Sequence, residues 1–377
     1  MRVLVVNAGS STVKLSLLGP QDESLGDREL EAPAAQLDPE QLQAALNEGL
    51  GDADAVGHRI VHGGALFRDP VRIDDGVVGA LRGLVGLAPI HQPNSLHALE
   101  AVSQALPGLP AVACFDTAFH STLPDAAATY ALPAAWARRW GLKRYGFHGL
   151  SHAWVAHRAP EMLSVGGDGL RIVSCHLGAG ASLCAIAEGR SIDTTMGFTP
   201  LEGLVMATRS GSVDPGLLLW MLEREALSTK DLAYALDHES GLLGLTGTAD
   251  MREVLARADA GDPAARLALD VYLHRLRAGI AAMTAALGGL DVLVFTGGVG
   301  ERSAAIRAGA ADRLGFLGVE IDPDANAAVA GDAEISAASP SVRTVVIHAR
   351  EDLQIAHEVR RVVAARAVAG AGPQPLP

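Results

Sequence analysis

The amino-acid sequence predicts an α/β protein of two domains, the second repeating the first. Its 377 residues, 49% of them hydrophobic, exceed the size at which a single core keeps growing. Two stretches, VLVVNAGSSTVKLSLL from Val3 and IVSCHLGAGASLCAIA from Ile172, each read as an apolar strand, a small polar turn and a returning strand. They coincide when Gly9 is laid on Gly178, which points to a duplicated unit, although glycine-turned hairpins are common taken singly. Further apolar strands, such as Ala111–Phe115 and the DVLVF run from Asp291, are each followed by helical patterns. We expect one domain to span residues 1–119 and to be closed by 354–377, and the other to span 120–353.

The net charge of -13 and the lack of any basic run argue against nucleic acid or an anionic membrane as partner and favour a small molecule. Cys114, Cys175 and Cys184 lie in apolar strand-like contexts without metal-ligand spacing and read as buried thiols; 175 and 184 flank the second hairpin, where they can face each other. The N-terminal apolar run is interrupted from Asn7 to Ser11, and the longest one, Ala278–Leu290, stops at Asp291 short of a bilayer span. A soluble, cytoplasmic protein is expected.

Residues 176–215 hold the highest density of glycines and chemically useful side chains. The turn with glycines at 178 and 180 can offer backbone N–H groups to an anion, and in Thr208-Arg209-Ser210-Gly211 small neighbours leave the Arg209 guanidinium open to an oxyanion. Upstream, Asn7 and Lys14 lie in and after the first turn. Residues 20–55 are acidic, with a helix expected over 39–50 and no visible chemistry. In AVGHRIVHGG, Arg59 sits inside an apolar strand, where its burial calls for an anion or a structural ion pair. His58 and His62 face away from it at strand period and read as satisfied structural histidines. The proline-bounded loop LAPIHQPNS carries His91, and a helix follows to Ala105. Asp116 ends the 111–115 strand, where α/β folds bind ligands, the alternative being a cap on the next turn.

KRYGFHGLSH places His148, and with less weight His152, beside a helix expected near Ser151, positioned to donate to an anion. Helical patterns follow at 217–225, 229–238 and 266–287, with Asp250-Met251-Arg252 opening another. The strand at 291–295 runs into Gly297-Gly298-Val299-Gly300, a strand, glycine turn and helix start that can approach a phosphate but lacks dinucleotide-fingerprint spacing. The last strand, SVRTVVIHA, ends at Arg350-Glu351-Asp352. A helix over 353–365 precedes a Gly-Pro tail expected to be disordered.

Eight blocks in order, NAGSSTVK, GHRIVHGG, FDTAFH, YGFHGLSH, HLGAGAS, DTTMGFTPLEG, TRSG and TGGVGE, resemble the acetate kinase family, and the resemblance runs from residue 3 to about 357. It implies two duplicated ribonuclease-H-like domains of the actin-like ATPase type with a cleft between them, a homodimer, ATP as co-substrate, and Mg2+ with Mn2+ as a substitute. Carried onto this sequence, it implies Asp116, His148, Arg209 and Arg59 as the catalytic set. Val61, Ile90, His91, Phe147 and Pro200 join Arg59 around the acyl group. Asn7 and Glu351 fall on the metal side. For the nucleotide it implies Lys14, the turn His176-Leu177-Gly178-Ala179-Gly180, Asp250-Met251-Arg252, and Gly297-Gly298-Val299-Gly300-Glu301-Arg302.

Four positions depart from the family pattern. Ala179 stands where asparagine is usual, Ser212 replaces the aspartate after TRSG, Thr12 replaces a serine, and Arg302 ends the GGxGEN-like block.

The implied reaction is reversible in-line phosphoryl transfer from ATP to acetate, giving acetyl phosphate and ADP. A carboxylate is ionised at neutral pH, so bringing two anions together dominates over general-base chemistry. Each well-placed donor is worth on the order of 3 kcal/mol by analogy with oxyanion-hole removals. Propionate or butyrate kinase is the near alternative and an actin-like or chaperone-like ATP-driven binding protein the distant one. A dehydrogenase is disfavoured because no G-x-G-x-x-G turn follows the first strand.

Overall fold

The computed structural model describes residues 1–9, 12–32, 37–88, 92–166, 169–224 and 227–370, with side chains to 365. It is α/β and divides into two compact units. The first comprises residues 1–121, 149–154 and the chain from 350 onward; the second comprises 122–148 and 155–349.

The first unit holds a mixed sheet of β1 (Val3–Ala8), β2 (Thr12–Leu18), β3 (Ser24–Glu31), β4 (Ala55–Ile60), β5 (Val71–Arg72) and β6 (Ala111–Phe115), in the order β3-β2-β1-β4-β6-β5. β1, β4 and β6 are parallel and the other pairings antiparallel. The unbroken Val3–Val6 run suits β1 to the middle, where both faces are covered. β3, mostly exposed and charged, takes an edge; its polar composition hid it within the acidic 20–55 stretch. Gly57 on β4 lets the C-terminal helix Glu351–Gly370 lie on the sheet, since a Cβ there would stand 2.5 Å from Ile355 and 2.8 Å from Val359.

The second unit repeats the plan with β7 (Arg171–Leu177), β8 (Ala181–Ala187), β9 (Arg190–Thr194), β10 (Val292–Thr296), β11 (Ala333–Glu334) and β12 (Arg343–Val346). Their order, β11-β12-β10-β7-β8-β9, is that of the first sheet strand for strand when each is read from its own first strand. Both units carry a three-strand meander, two further parallel strands and a two-residue antiparallel edge. The helix Pro263–Leu287 covers β8. It starts at Asp262, whose carboxylate accepts from Ala264 and Ala265 N–H with Pro263 next, and stops at left-handed Gly288.

The helices Gln92–Ala105 and Thr229–His238 fall where periodicity predicts. Four starts move earlier, two of them at Pro215 and Pro263 instead of 217 and 266. The helix expected near Ser151 begins at Gly149, and the last helix begins at Glu351 rather than 353. The three cysteines are buried and form no disulfide, but the expected facing of two of them is wrong. Register pairs Cys175 with Leu183 and Cys184 with Ser174, so the two thiols point to opposite faces of the sheet. Among the described residues, no helix is long and apolar enough to cross a membrane. The tail expected to be disordered, 371–377, lies outside them.

Candidate functional site

In the first unit, strand register assembles a charged cluster at the C-terminal ends of the parallel strands. Val6 pairs with His58, so Asn7 comes level with Arg59; Arg59 pairs with Cys114, and Asp116, two residues on, returns to the same face. Arg59 donates from Nε and Nη2 to the two oxygens of Asp116, at 3.0 and 2.7 Å, and from Nη1 to Asn7 Oδ1 at 3.0 Å. The Asp116 carboxylate, 2% exposed, thus grips an arginine instead of capping the following turn. Glu351, the first residue of the C-terminal helix, brings Oε2 to 3.9 Å from Arg59 Nε. Burial alone would lower the Arg59 guanidinium, but Asp116 and then Glu351 hold it above its ordinary value. Burial also pushes the Glu351 carboxyl up; Arg59 opposes this, while Asp116 and Asp352 add to it.

These residues fit a hard divalent cation. Two carboxylates and an amide oxygen face a single guanidinium, leaving excess negative charge and hard oxygen donors. Among the described residues no group of three or more His, Cys, Asp or Glu could hold a metal by itself. Mg2+ is usually held by one or two carboxylates together with substrate phosphates.

His58 and His62 point away from Arg59 and are buried. His62 Nδ1 accepts from Gly64 N–H at 2.8 Å. His58 corrects an expectation, since neither ring nitrogen has a hydrogen-bond partner among the described residues, and burial pushes it down to about 4.

In the second unit, His148 precedes the Gly149–Leu163 helix in a left-handed conformation, φ 56°, uncommon for a non-glycine residue and concentrated at functional positions. Its Nδ1 lies 3.0 Å from Ser182 Oγ, and its ring stacks on His176 at 4.3 Å. Gly180 explains the glycine turn: a Cβ there would stand 3.2 Å from His148 Nε2 and 3.5 Å from Arg209 Nη1. An imidazole and a guanidinium therefore converge over bare backbone. Arg209 Nε lies 3.6 Å from Asp237 Oδ1, and burial pulls its guanidinium down with Asp237 opposing. Within the turn Gly178 donates to the Gly180 carbonyl at 2.9 Å, so that N–H is not open to an anion.

The same unit contains a cavity of about 600 Å³. Gly178, Ala179, Asp250, Met251, Arg252, Gly298, Val299 and Arg302 all line it, as sequence reasoning grouped them; Leu242, Leu255 and Tyr272, which it missed, supply apolar wall. Asp250 caps the Met251–Asp259 helix, and its hydrogen bonds from Arg252 hold its carboxyl down at about 2. His176, Leu177, Gly180, Gly297, Gly300 and Glu301 are not in that lining. Gly297, φ 77°, packs on Leu177, where a Cβ would meet the carbonyl at 2.8 Å. Glu301 turns inward, accepting from Gly297 and Ala349 N–H at 2.9 Å each. Lys14 lies in the first unit, exposed and 3.7 Å from Glu29, and is not part of this cavity.

Of the expected acyl-group residues, Val61 is half-buried in the first unit, while Phe147, fully buried, and Pro200, half-buried, are in the second. Ile90 and His91 lie outside the described residues. His152 is buried with its ring 5.7 Å from that of His120, a packing role. Ser182 and Asp237, which hold His148 and Arg209, went unread because a serine in a strand and an acid near a helix end carry no sign of their partners.

A sequence profile described as the acetokinase family matches residues 29–357. An acetate kinase of Deinococcus deserti is 46% identical over 97% of this chain and 99% of its own length. One of Trichormus variabilis is 42% identical over 95% and 98%. Among solved structures, acetate kinase of Porphyromonas gingivalis matches with a TM-score of 0.88 at 35% identity, covering 96% of this chain and 99% of the other. A propionate kinase from Francisella tularensis matches with a TM-score of 0.89 at 35% identity over the same shares.

Proposed function

The chain belongs to the acetokinase family, and from that premise we propose that it is an acetate kinase, transferring the γ-phosphoryl group of ATP reversibly to acetate to give acetyl phosphate and ADP. The observation that carries the reading is the convergence of His148 Nε2 and Arg209 Nη1 over Gly180, in the unit that also holds the 600 Å³ cavity. Donors fixed over bare backbone favour charge that develops in transfer. The half-buried Arg209 gains most from an incoming oxyanion, because burial already disfavours its charge.

In this mechanism Arg59 screens the acetate carboxylate, and Asp116 holds the Arg59 fork in one plane instead of removing a proton. The family resemblance assigns Val61 of the first unit, and Phe147 and Pro200 of the second, to the acyl group. His148, with Nδ1 engaged by Ser182, presents Nε2 to the phosphoryl oxygens. The nucleotide occupies the cavity between Ala179 and Arg302, its base against Leu242, Leu255 and Tyr272. Asn7 and Glu351 would hold Mg2+, with Mn2+ as a substitute, which when bound neutralises phosphate charge.

A homodimer is part of the proposal. The Pro215–Arg224 helix buries none of its residues, and Leu217, Leu219 and Trp220 are 46, 63 and 49% exposed, a face suited to a second copy.

The resemblance to a propionate kinase favours a second reading, longer-chain acids, since one methylene in an apolar pocket is worth only about 1–3 kcal/mol. Trapping acyl phosphate with hydroxylamine in reactions of MgATP with acetate, propionate and butyrate tests both. Acetate is expected to give the highest kcat/KM. A higher value for propionate establishes the second reading, and no hydroxamate with any acid overturns both.

A further inference from the structure

Between β9, which ends at Thr194, and the helix that starts at Pro215, the second unit has neither helix nor strand. Irregular segments of that length inside a compact unit are usually functional and need something other than a ladder to hold them. Here the holder is one network. Arg144 Nη1 donates to three successive carbonyls, Thr194, Thr195 and Met196, at 3.0, 3.2 and 3.1 Å, and its Nη2 donates to Glu202 Oε1 at 2.9 Å. The Tyr130 hydroxyl donates to Glu202 Oε2 at 2.5 Å and accepts from Phe198 N–H at 2.9 Å. The Gly197 carbonyl accepts from Tyr145 and Gly146 N–H at 3.1 and 3.2 Å. The network closes tightly over Gly197: a Cβ there would stand 1.7 Å from Glu202 Oε2 and 2.1 Å from the Tyr130 oxygen and would displace both.

The bonds run from the segment that continues into Phe147 and His148 to the loop that carries Phe198 and Pro200. Arg144 and Glu202 have side chains only 18 and 34% exposed, so this is not a solvent-screened surface pair. Burial, then the Glu202 carboxylate, pushes the Tyr130 phenol up, keeping its proton as a donor. A guanidinium on three consecutive carbonyls fixes backbone position, which a pocket wall needs if it is to discriminate by one methylene.

We propose that Arg144, Glu202 and Tyr130 are positioning residues that set acyl-chain selection, locking the loop of Pro200 onto the segment of Phe147. The inference rests on the acyl-phosphate reading, in which Phe147 and Pro200 line the acyl pocket. Loosening the lock lets the wall recede, so a longer acid gains relative to acetate, while the nucleotide cavity, which none of these residues lines, is left alone.

The test measures kcat/KM for acetate and propionate, and KM for ATP, in Tyr130→Phe, Glu202→Ala and Glu202→Gln. Tyr130→Phe removes one oxygen and guards against a folding failure of the alanine variant. Tyr130→Phe and Glu202→Ala are expected to raise the propionate-to-acetate ratio about threefold or more, chiefly through KM for acetate, with KM for ATP within about twofold. Glu202→Gln keeps one acceptor oxygen and sets an amide N–H against the other partner, so its ratio is expected to fall between those of the wild type and Glu202→Ala. An unmoved ratio in a folded, active Tyr130→Phe, or KM for ATP rising in parallel with that for acetate, overturns the clamp and leaves the kinase reading standing. A wild type without carboxylate-dependent ADP release overturns both.

Discussion

Half-buried Arg209 and fully buried His58 are two cationic-type side chains with opposite fates. Arg209 sits over Gly180 with Asp237 as a loose partner, so Arg209→Ala is expected to lower kcat by about 10²-fold or more with a smaller change in KM for ATP. Steady-state kinetics check this, and near-wild-type kcat would remove Arg209 from the chemistry. His58 meets only burial, and its value falls from 6.5 to about 4. Between those values the unfolded chain binds a proton that the folded chain refuses, so stability present above pH 6.5 is lost as pH falls towards 4, by roughly 3 kcal/mol. His58→Phe, beside a cavity of about 150 Å³, is expected to abolish that portion of the acid destabilisation. Urea unfolding at several pH values checks it, and an unchanged slope contradicts it. Arg59 and Asp116 were legible because a charge at the end of an apolar strand demands a reason. That His58 has no hydrogen-bond partner among the described residues was not, since strand period gives the face but not what the face meets.

At the scale of elements, the helix Gly297–Arg302 that borders the 600 Å³ cavity proposed for the nucleotide is tied down from behind. Arg307, fully buried, donates to the carbonyls of Gly300, Glu301 and Asn326 at 2.9, 2.8 and 2.7 Å and to Asn326 Oδ1 at 2.7 Å. All its partners are neutral, and burial pulls it below its ordinary value. Arg307→Met leaves buried carbonyls without donors, each costing about 1–3 kcal/mol, so a loss of roughly 3 kcal/mol or more is expected together with a raised KM for ATP. Denaturant unfolding and kinetics check the two arms; full stability in the variant contradicts this account of the tie. The strand and glycine turn before this helix were readable from sequence. Arg307 was not, because an arginine in an alanine-rich helix reads as surface until Asn326 is folded against it. β3 was missed for a related reason, as an edge strand can be polar on both faces.

At the scale of the molecule, the duplication was legible in one short correspondence, Gly9 with Gly178, because the hairpin of each unit carries that unit's central strand. The short edges β5 and β11 completed the match but are too brief to leave a pattern. The unburied Pro215–Arg224 helix leads to a further expectation. Leu219→Glu should shift the protein from dimer to monomer in analytical ultracentrifugation, and a wild type already monomeric at micromolar concentration contradicts the proposed dimer.

The central claim, that an acetate oxygen attacks the terminal phosphorus of ATP, is tested most directly by phosphorus NMR of a reaction containing MgATP and acetate with heavy oxygen in its carboxylate. The account predicts acetyl phosphate whose phosphorus signal is shifted by one heavy oxygen, formed together with unlabelled ADP. ADP and unlabelled inorganic phosphate alone, released at the same rate with and without acetate, would contradict it.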